Sequence, residues 1–226
     1  MKPTQPMTQD RIILQIEQGL LDISHLPISE KANQRLLPVR IPIRKGMLGW
    51  RLLLIRREDQ KQFAKVRSIK DLRKFKAGFG SQWGDLNILK ANVGNVTTSL
   101  DYELLFCMLI AKRFDYLHRG LHEPWDEVAI RKKQYPNLHI EETLVLHYPI
   151  GDYFYVGKHS PALAKRIESG LKALIEDGSF DRFFNKEYRK VIEKAKILSR
   201  RRIELQNPFL PLDTPLDIKA YWINFK

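Results

Sequence analysis

The chain has 226 residues, of which 43% are hydrophobic and 29% are charged. This length and composition suit a folded protein with one core or two small lobes, and they exclude a disordered chain. No apolar run approaches the roughly 20 residues that span a bilayer, and the single cysteine, Cys107, excludes an intramolecular disulfide. The net charge of +13 is compatible with nucleic acid, an anionic membrane surface or an anionic ligand as a partner.

The sequence pattern of the first 56 residues predicts one helix and two short strands. Thr8 is a suitable N-cap and Gly19 a suitable stop for the first helix. A short strand is predicted at 20–24, followed by an irregular, proline-containing stretch. Residues 51–56 form a continuous apolar run bounded by charge, which is typical of a buried strand.

The middle of the chain alternates helices and strands. Ser68 opens a capping box and a short helix, and residues 77–80 form a strand that ends in glycine. A helix is predicted at 84–91, and a second capping box, Thr98 with Asp101, predicts the start of the next helix. Three further strands are predicted at 114–117, 143–147 and 153–156.

The last third is predicted to be mainly helical. Pro161 stands at the first position of a helix that ends at Gly178. A basic helix is predicted from about 183 to 198, within the densest charged run of the chain, 181–206. The tail is rich in proline, and four of its apolar residues are predicted to pack on the body: Phe209, Leu210, Leu212 and Trp222. The alternation as a whole predicts an α/β fold with largely parallel strands.

A glycine-flanked loop at 80–85 is the best candidate for ligand contact. It precedes a predicted helix, where free backbone N–H groups favour an anion or a carbonyl group. Ser81 and Gln82 can add hydrogen bonds, and Trp83 can offer a stacking face. The alternative, weighed equally, is that Ser81 is only a helix cap and Trp83 a core residue.

Four segments, in the correct order, resemble one protein family. Val66–Ser81 is similar to the entry into the second lobe of the bacterial extracellular solute-binding proteins of family 3, the polar amino acid binding type. Tyr155–Ala164 resembles the return to the first lobe, and Leu171–Phe180 with Phe184–Tyr188 resembles the C-terminal end. The resemblance implies a two-lobed, periplasmic-binding-protein-like (type 2) α/β fold.

The family architecture implies two crossovers, at 51–56 and about 148–153. Lobe 1 would comprise 1–56 plus 150–226, and lobe 2 would comprise 57–149. The first strands of the family's lobe 1 have no counterpart here, so the first lobe is expected to be N-terminally truncated. An incomplete lobe with an open sheet edge predicts dimerisation or strand exchange.

The resemblance also predicts an altered ligand site. Ala32 stands where the family places the arginine that binds the ligand carboxylate, and only Lys31 or Arg35, with a shifted backbone, could replace it. In lobe 2, Gly120 stands where the family has an aspartate for the ammonium group. Arg119 and Glu123 are the remaining candidates in that segment, with Arg119 favouring an anionic group. The lobe 1 candidates are Ser24, His25 and Arg44.

These residues favour a solute-binding protein that closes on a small polar solute, with an anionic solute as one option and a standard free amino acid disfavoured. A dehydratase-like enzyme on the same scaffold would need Glu123 as acid or base, and a nucleic-acid-binding protein would use the basic segment 181–206. No catalytic residue, metal site or cofactor is predicted. The resemblance implies a periplasmic protein and an inner-membrane transporter as partner, whereas residues 1–10 lack a signal peptide core and predict the cytoplasm if the start is genuine.

Overall fold

The computed structural model describes residues 7–223 and residue 225. Of the segment 1–10, which is predicted to lack a signal peptide core, residues 1–6 lie outside the described residues. The chain forms two compact units. Unit 1 comprises residues 7–46, 150–186 and 209–223, and unit 2 comprises residues 47–149, 187–208 and 225. None of the helices in the described part of the chain is long and apolar enough to cross a membrane.

The helices and strands alternate through most of the chain. The helices are α1 (Gln9–Glu17), α2 (Glu30–Arg35), α3 (Gln60–Phe63), α4 (Ile69–Leu72), α5 (Leu86–Val93), α6 (Tyr102–Ile110), α7 (Pro124–Arg131), α8 (Pro161–Glu176) and α9 (Ser179–Ala195). The strands are β1 (Ile23–Pro27), β2 (Leu37–Val39), β3 (Trp50–Arg56), β4 (Ala77–Gly80), β5 (Val96–Ser99), β6 (Tyr116–Gly120), β7 (Leu138–Ile140), β8 (Leu144–His147), β9 (Asp152–Val156) and β10 (Arg201–Glu204).

Unit 2 is built on a seven-stranded mixed sheet. Its strand order is β10-β8-β3-β6-β4-β5, and β7 pairs with the second half of β3. All seven residues of β3 are buried, which explains why the segment has an uninterrupted apolar run. The predicted parallel pairing holds for β10–β8, β4–β5 and β4–β6, whereas β3 runs antiparallel to β6, β7 and β8.

Unit 1 contains a three-stranded antiparallel sheet of order β1-β9-β2. The helix α1 begins where predicted, with the side chain of Thr8 accepting a hydrogen bond from the Arg11 N–H, and Gly19 follows it with a positive φ of 69°. The core of this unit combines α1, α2 and the sheet: Ile13, Ile16, Leu26, Ile28, Ala32, Leu36, Tyr153 and Tyr155. Of the four tail residues predicted to pack, Leu210 and Trp222 contact this core, while Leu212 is fully exposed and Phe209 is half exposed.

Three sequence predictions differ from the structure. Thr98 lies in β5, and Asp101 instead caps α6 by accepting from the N–H groups of Glu103 and Leu104. The helices α2, α3 and α7 and the strands β2, β5, β7 and β10 have no counterpart among the predicted elements. The basic helix predicted at about 183–198 is present as α9, which ends at Ala195, but the rest of the basic segment 181–206 is not helical, since β10 pairs with β8. Residues 187–208, assigned to lobe 1 from the sequence, contribute to unit 2 through this pairing.

Candidate functional site in unit 2

The candidate site of unit 2 lies at the carboxyl ends of two adjacent parallel strands. β4 and β6 pair with Ala77 opposite Tyr116, so the loops that follow both strands meet at one edge of the sheet. One loop carries residues 81–85 into α5, and the other carries residues 121–123 into α7. Ligands of α/β proteins commonly bind at this edge, next to helix N-termini.

Arg119, near the end of β6, is held by two glutamates. Its Nε donates to Glu127 Oε1 at 2.8 Å and Oε2 at 3.1 Å, and its Nη2 donates to Glu123 Oε1 at 2.8 Å. Glu123 also accepts from the Gly120 N–H at 2.5 Å, and Glu127 accepts from the Tyr102 hydroxyl at 2.5 Å. Burial alone would lower the pKa of Arg119, but the two carboxylates raise it. Arg119 is therefore a charged, internally paired residue.

An aromatic wall covers the guanidinium group of Arg119. Its central carbon lies 4.4 Å from the ring centre of Trp83 and 5.6 Å from that of Tyr102, which is cation–π geometry. Trp83 can approach β4 because residue 80 is glycine: a Cβ there would lie 2.4 Å from the indole ring. The glycine at the end of the predicted strand thus positions Trp83 over Arg119.

A second buried ion pair adjoins the first. Arg51, on β3, donates from Nη2 to Asp85 Oδ2 at 2.5 Å and from Nε to the Tyr148 hydroxyl at 2.9 Å, and that hydroxyl donates to Asp85 at 2.5 Å. Burial would raise the pKa of Asp85, but the positive charge of Arg51 brings it below the ordinary value. Arg51 Nη1 also lies 4.0 Å from Glu123 Oε2, which links the two pairs.

His118 lies in the same region and is completely buried. Its ring is 4.7 Å from that of Phe79 and 6.3 Å from that of Tyr148. Neither ring nitrogen has a hydrogen-bond partner among the described residues. Burial, followed by the positive charge of Arg51, lowers the pKa of His118 to about 3, so the imidazole is neutral at physiological pH.

The two linked ion pairs form one charged group, in which the positive and negative charges are unequal in number. Two guanidinium groups, of Arg51 and Arg119, face three carboxylates, of Asp85, Glu123 and Glu127, so the group carries one net negative charge. The side chains of Asp85 and Glu127 are at most 10% exposed, whereas that of Glu123 is 28% exposed. Glu123 is therefore the carboxylate of the group that a ligand can reach.

The remaining predicted residues of this unit lie in the loop after β4. The backbone N–H of Ser81 donates to Ser99 O at 2.9 Å, and its Oγ is buried with no partner among the described residues. Gln82 is exposed. The loop therefore exposes the amide of Gln82 beside Trp83, whereas the hydroxyl of Ser81 is buried. Ser81 does not cap α5, whose N-cap residue is Asp85.

The predicted residues of unit 1 lie in two places. Ser24 and His25 are consecutive on β1, so their side chains point to opposite faces of the sheet. Arg44 Nε donates to the buried Asp152 at 2.9 Å, which neutralises its charge. These three residues do not form one cluster within the unit.

The three residues around the family's arginine position, Lys31, Ala32 and Arg35, have defined surroundings in unit 1. Ala32 lies in α2 and is 1% exposed, as part of the core. The two residues that could replace it are already paired: Lys31 Nζ donates to Asp10 at 2.6 Å, and Arg35 binds both oxygens of Glu17. Neither cation is free for a ligand carboxylate.

Four members of the charged group were not predicted from the sequence: Arg51, Asp85, Glu127 and Tyr148. The sequence pattern predicts Arg51 as the charged boundary of a buried strand, whereas in the structure Arg51 is 5% exposed and therefore requires a buried partner. The spacing of Arg119, Glu123 and Glu127 at intervals of four residues is not a helical signal, because Arg119 lies in β6 and α7 begins only at Pro124. Among the described residues, no group of three or more metal-ligating side chains is found.

Comparisons with solved structures identify the fold. A putative binding component of an ABC transporter from Wolinella succinogenes, complexed with lysine, is 18% identical with a TM-score of 0.59, covering 80% of this chain and 76% of that one. An amino acid ABC transporter substrate-binding protein from Streptococcus pneumoniae, bound to L-arginine, is 16% identical with a TM-score of 0.54, covering 83% and 76%.

A third structure, an ancestral amino acid-binding protein described as a precursor of cyclohexadienyl dehydratase, is 18% identical with a TM-score of 0.53, covering 84% of this chain and 75% of that one. No protein-family model and no curated relative matches the chain. The chain has the two-lobed α/β fold of the periplasmic binding proteins, as the sequence predicted.

Proposed function

We propose that the protein is a non-enzymatic solute-binding protein, and that unit 2 receives the cationic end of a small polar solute at Glu123. The fold supports the general role, since the similar structures are amino acid-binding proteins. The net negative charge of the group around Glu123 carries the choice of ligand, because its three carboxylates outnumber its two guanidinium groups and the partly exposed Glu123 can attract an ammonium or guanidinium group. The neighbouring structures named above contain lysine and arginine.

This proposal replaces the anionic solute that Arg119 favoured in the sequence. Nε and Nη2 of Arg119 already donate to glutamates, so the guanidinium group brings no unpaired charge to a ligand. Trp83 would stack on the aliphatic or planar part of the solute. We also propose that the solute needs no α-carboxylate, since Lys31 and Arg35 in unit 1 are each paired with a carboxylate of the chain.

Calorimetric titration with matched pairs of solutes tests this function. Agmatine and cadaverine lack the carboxylate of arginine and lysine but keep the cationic end, and they should bind at least as tightly as the parent amino acids. Glutamate should not bind. Tighter binding of glutamate than of agmatine, or turnover of prephenate in the same preparation, would overturn the proposal and favour the anionic solute or the dehydratase.

A pair of variants locates the binding. Glu123→Gln should weaken agmatine binding at least about tenfold, because a charged hydrogen bond becomes a neutral one. Glu58→Gln removes the same charge from a side chain that is 48% exposed and lies just after β3, and it should leave the affinity unchanged. An equal loss in both variants would mean that agmatine responds only to the total charge.

A solute-binding role implies two further properties, which stay proposals. The protein would work in the periplasm with an inner-membrane transporter, and cell fractionation of the source organism measures the first of these. Dimerisation of the purified chain also stays a prediction, and light scattering at micromolar concentration measures it. A monomer would contradict the predicted dimer and leave the solute-binding proposal intact.

A further inference from the structure

A second concave site lies in unit 2, away from Glu123. It is a cavity of about 680 Å³, a volume within the usual range for small-molecule sites. Its wall is formed by α7, β7 and the segment that joins α9 to β10, together with Arg57. Arg57 follows Arg51 by six residues of nearly extended chain, which corresponds to about 20 Å.

The helix α7 separates this cavity from the site at Glu123. Glu123 and Glu127, four residues apart, face Arg119, whereas Trp125, Val128 and Ala129 line the cavity. At 100° per residue, these two sets lie on different sides of the helix. The two sites are therefore distinct although they share one element.

The wall of the cavity is strongly basic. Four cationic side chains line it, those of Arg57, Lys194, Lys196 and Arg200, against a single carboxylate, Glu142, whose side chain is 67% exposed. Arg200 is used internally, since its guanidinium group donates to backbone carbonyls of Ala195, Glu141 and Leu144. The remaining three cations have no carboxylate within 4.0 Å among the described residues.

Two of these cations have defined surroundings. The ammonium group of Lys194 lies 4.6 Å from the ring centre of Trp125, which orients it over the cavity wall. Lys196 directly follows α9 and has a left-handed conformation with a φ of 48°, at a position where glycine is the usual residue. A lysine there costs the backbone about 1 kcal/mol relative to glycine. A charged side chain is thus placed beside the cavity against the local backbone preference.

We propose that this cavity binds a small molecule that carries two or more phosphate or carboxylate groups. Three unpaired cations around one concave surface repel each other, and a multivalent anion relieves that repulsion while it gains charge-assisted hydrogen bonds. Arg57 contributes a planar fork of donors, and the two lysines contribute mobile point charges. The partly buried Trp125 and the apolar Leu138 and Ile140 would contact the carbon frame of such a ligand.

The test is calorimetric titration of the whole protein with pyrophosphate and, separately, with citrate, at low and constant ionic strength. Lys196→Gly removes a cation from the cavity while it relieves the backbone, so the variant should fold at least as well as the parent chain. Its affinity for the preferred anion should fall about five- to tenfold. Tighter binding of pyrophosphate would indicate a phosphate ligand, and tighter binding of citrate would indicate a carboxylate ligand. Acetate, which has a single carboxylate, should not bind.

Lys112→Gly is the matched control. Lys112 also follows a helix in a left-handed conformation, with a φ of 57°, but it lies outside the cavity and pairs weakly with Glu58 at 3.9 Å. The Lys112→Gly variant should bind the anion with the same affinity as the parent chain. Equal weakening in both variants, or no binding of either anion, would overturn the proposal. Unchanged pyrophosphate or citrate binding by Glu123→Gln would separate this site from the one at Glu123.

Discussion

The guanidinium group of Arg119 and the carboxylate of Glu127 form a buried, two-oxygen ion pair at the edge of the unit 2 sheet. Nε of Arg119 lies 2.8 and 3.1 Å from the two oxygens of Glu127, and both side chains are less than 10% exposed. Both charged groups of such a pair lose their hydration when they are buried. Their attraction offsets this desolvation penalty only if the hydrogen-bond geometry is good. It fixes β6 and α7 together and sets the position of Glu123.

Removal of Arg119 should therefore destabilise unit 2 strongly. Arg119→Met leaves Glu127 buried and Glu123 half buried without their cation, and we expect the free energy of unfolding to fall by about 3–5 kcal/mol. Urea denaturation followed by far-UV circular dichroism measures this change. Adding Glu127→Gln to Arg119→Met should restore part of the stability, because the uncompensated buried charge is then gone.

Arg189→Met is the control for this prediction. Arg189 also pairs with a glutamate, Glu193 at 2.8 Å, but its side chain is 75% exposed. Solvent screens such a pair, so the variant should unfold at the same urea concentration as the parent chain. If Arg119→Met behaved like Arg189→Met, the buried pair would contribute nothing to the stability of the unit.

Buried charges also mark the limit of what the sequence could predict. The strand β3 was predicted from its apolar run, because a strand buried on both faces needs no polar alternation. Its Arg51 was treated as the boundary of that run. The partners that make its burial possible, Asp85 and Tyr148, are 34 and 97 residues away in the chain. No local pattern encodes such contacts, which arise only when β3 enters the sheet.

Features that depend on local chemistry, such as helix caps, could be predicted more accurately than strands that depend on tertiary pairing. Thr8 and Ser68 cap α1 and α4 as their motifs indicate, since a hydroxyl before a helix satisfies its free N–H groups. The Thr98 motif failed because a better acceptor, the Asp101 carboxylate, stands three residues later and leaves Thr98 to β5. The strand β10 was missed because a basic run suggested a solvated helix, although the guanidinium group of Arg201 donates to the backbone carbonyl of Val66.

The neutral state of His118 predicts a loss of stability in acid. Its pKa is about 3 in the folded protein, against an ordinary value of 6.5. Below pH 6.5 the unfolded chain therefore takes up a proton that the folded protein does not. Above pH 6.5 the imidazole is neutral in both states and costs no stability. As the pH falls from 6.5 toward 3, the free energy of unfolding decreases by about 1.4 kcal/mol per pH unit.

A variant that cannot titrate isolates this contribution. His118→Asn should be less affected by acid than the parent chain, so the difference in unfolding free energy between the two should shrink from pH 7 to pH 4.5. Ionisable groups away from His118 are common to both chains and cancel in the difference, whereas Asp85, whose pKa responds to His118, contributes to it. Parallel stability curves over this range would mean that His118 reaches solvent and is protonated in the folded protein.

The close approach of Gly80 and Trp83 predicts that even the smallest side chain at position 80 disturbs the site at Glu123. In Gly80→Ala, the new Cβ would lie 2.4 Å from the indole ring, so Trp83 must move off its place over Arg119. We expect a lower melting temperature, equivalent to about 1–3 kcal/mol, and a weaker affinity for agmatine. Differential scanning calorimetry and the calorimetric titration measure the two effects.

Gly170→Ala is the control, and we expect it to increase stability where Gly80→Ala decreases it. Gly170 lies within α8, and a Cβ there would meet no atom within 4 Å, so alanine adds helix propensity without a clash. This variant should raise stability by about 1 kcal/mol and leave agmatine binding unchanged. If Gly80→Ala bound agmatine as the parent chain does, the stacked position of Trp83 over Arg119 would have no part in solute binding, and Glu123 would act without an aromatic partner.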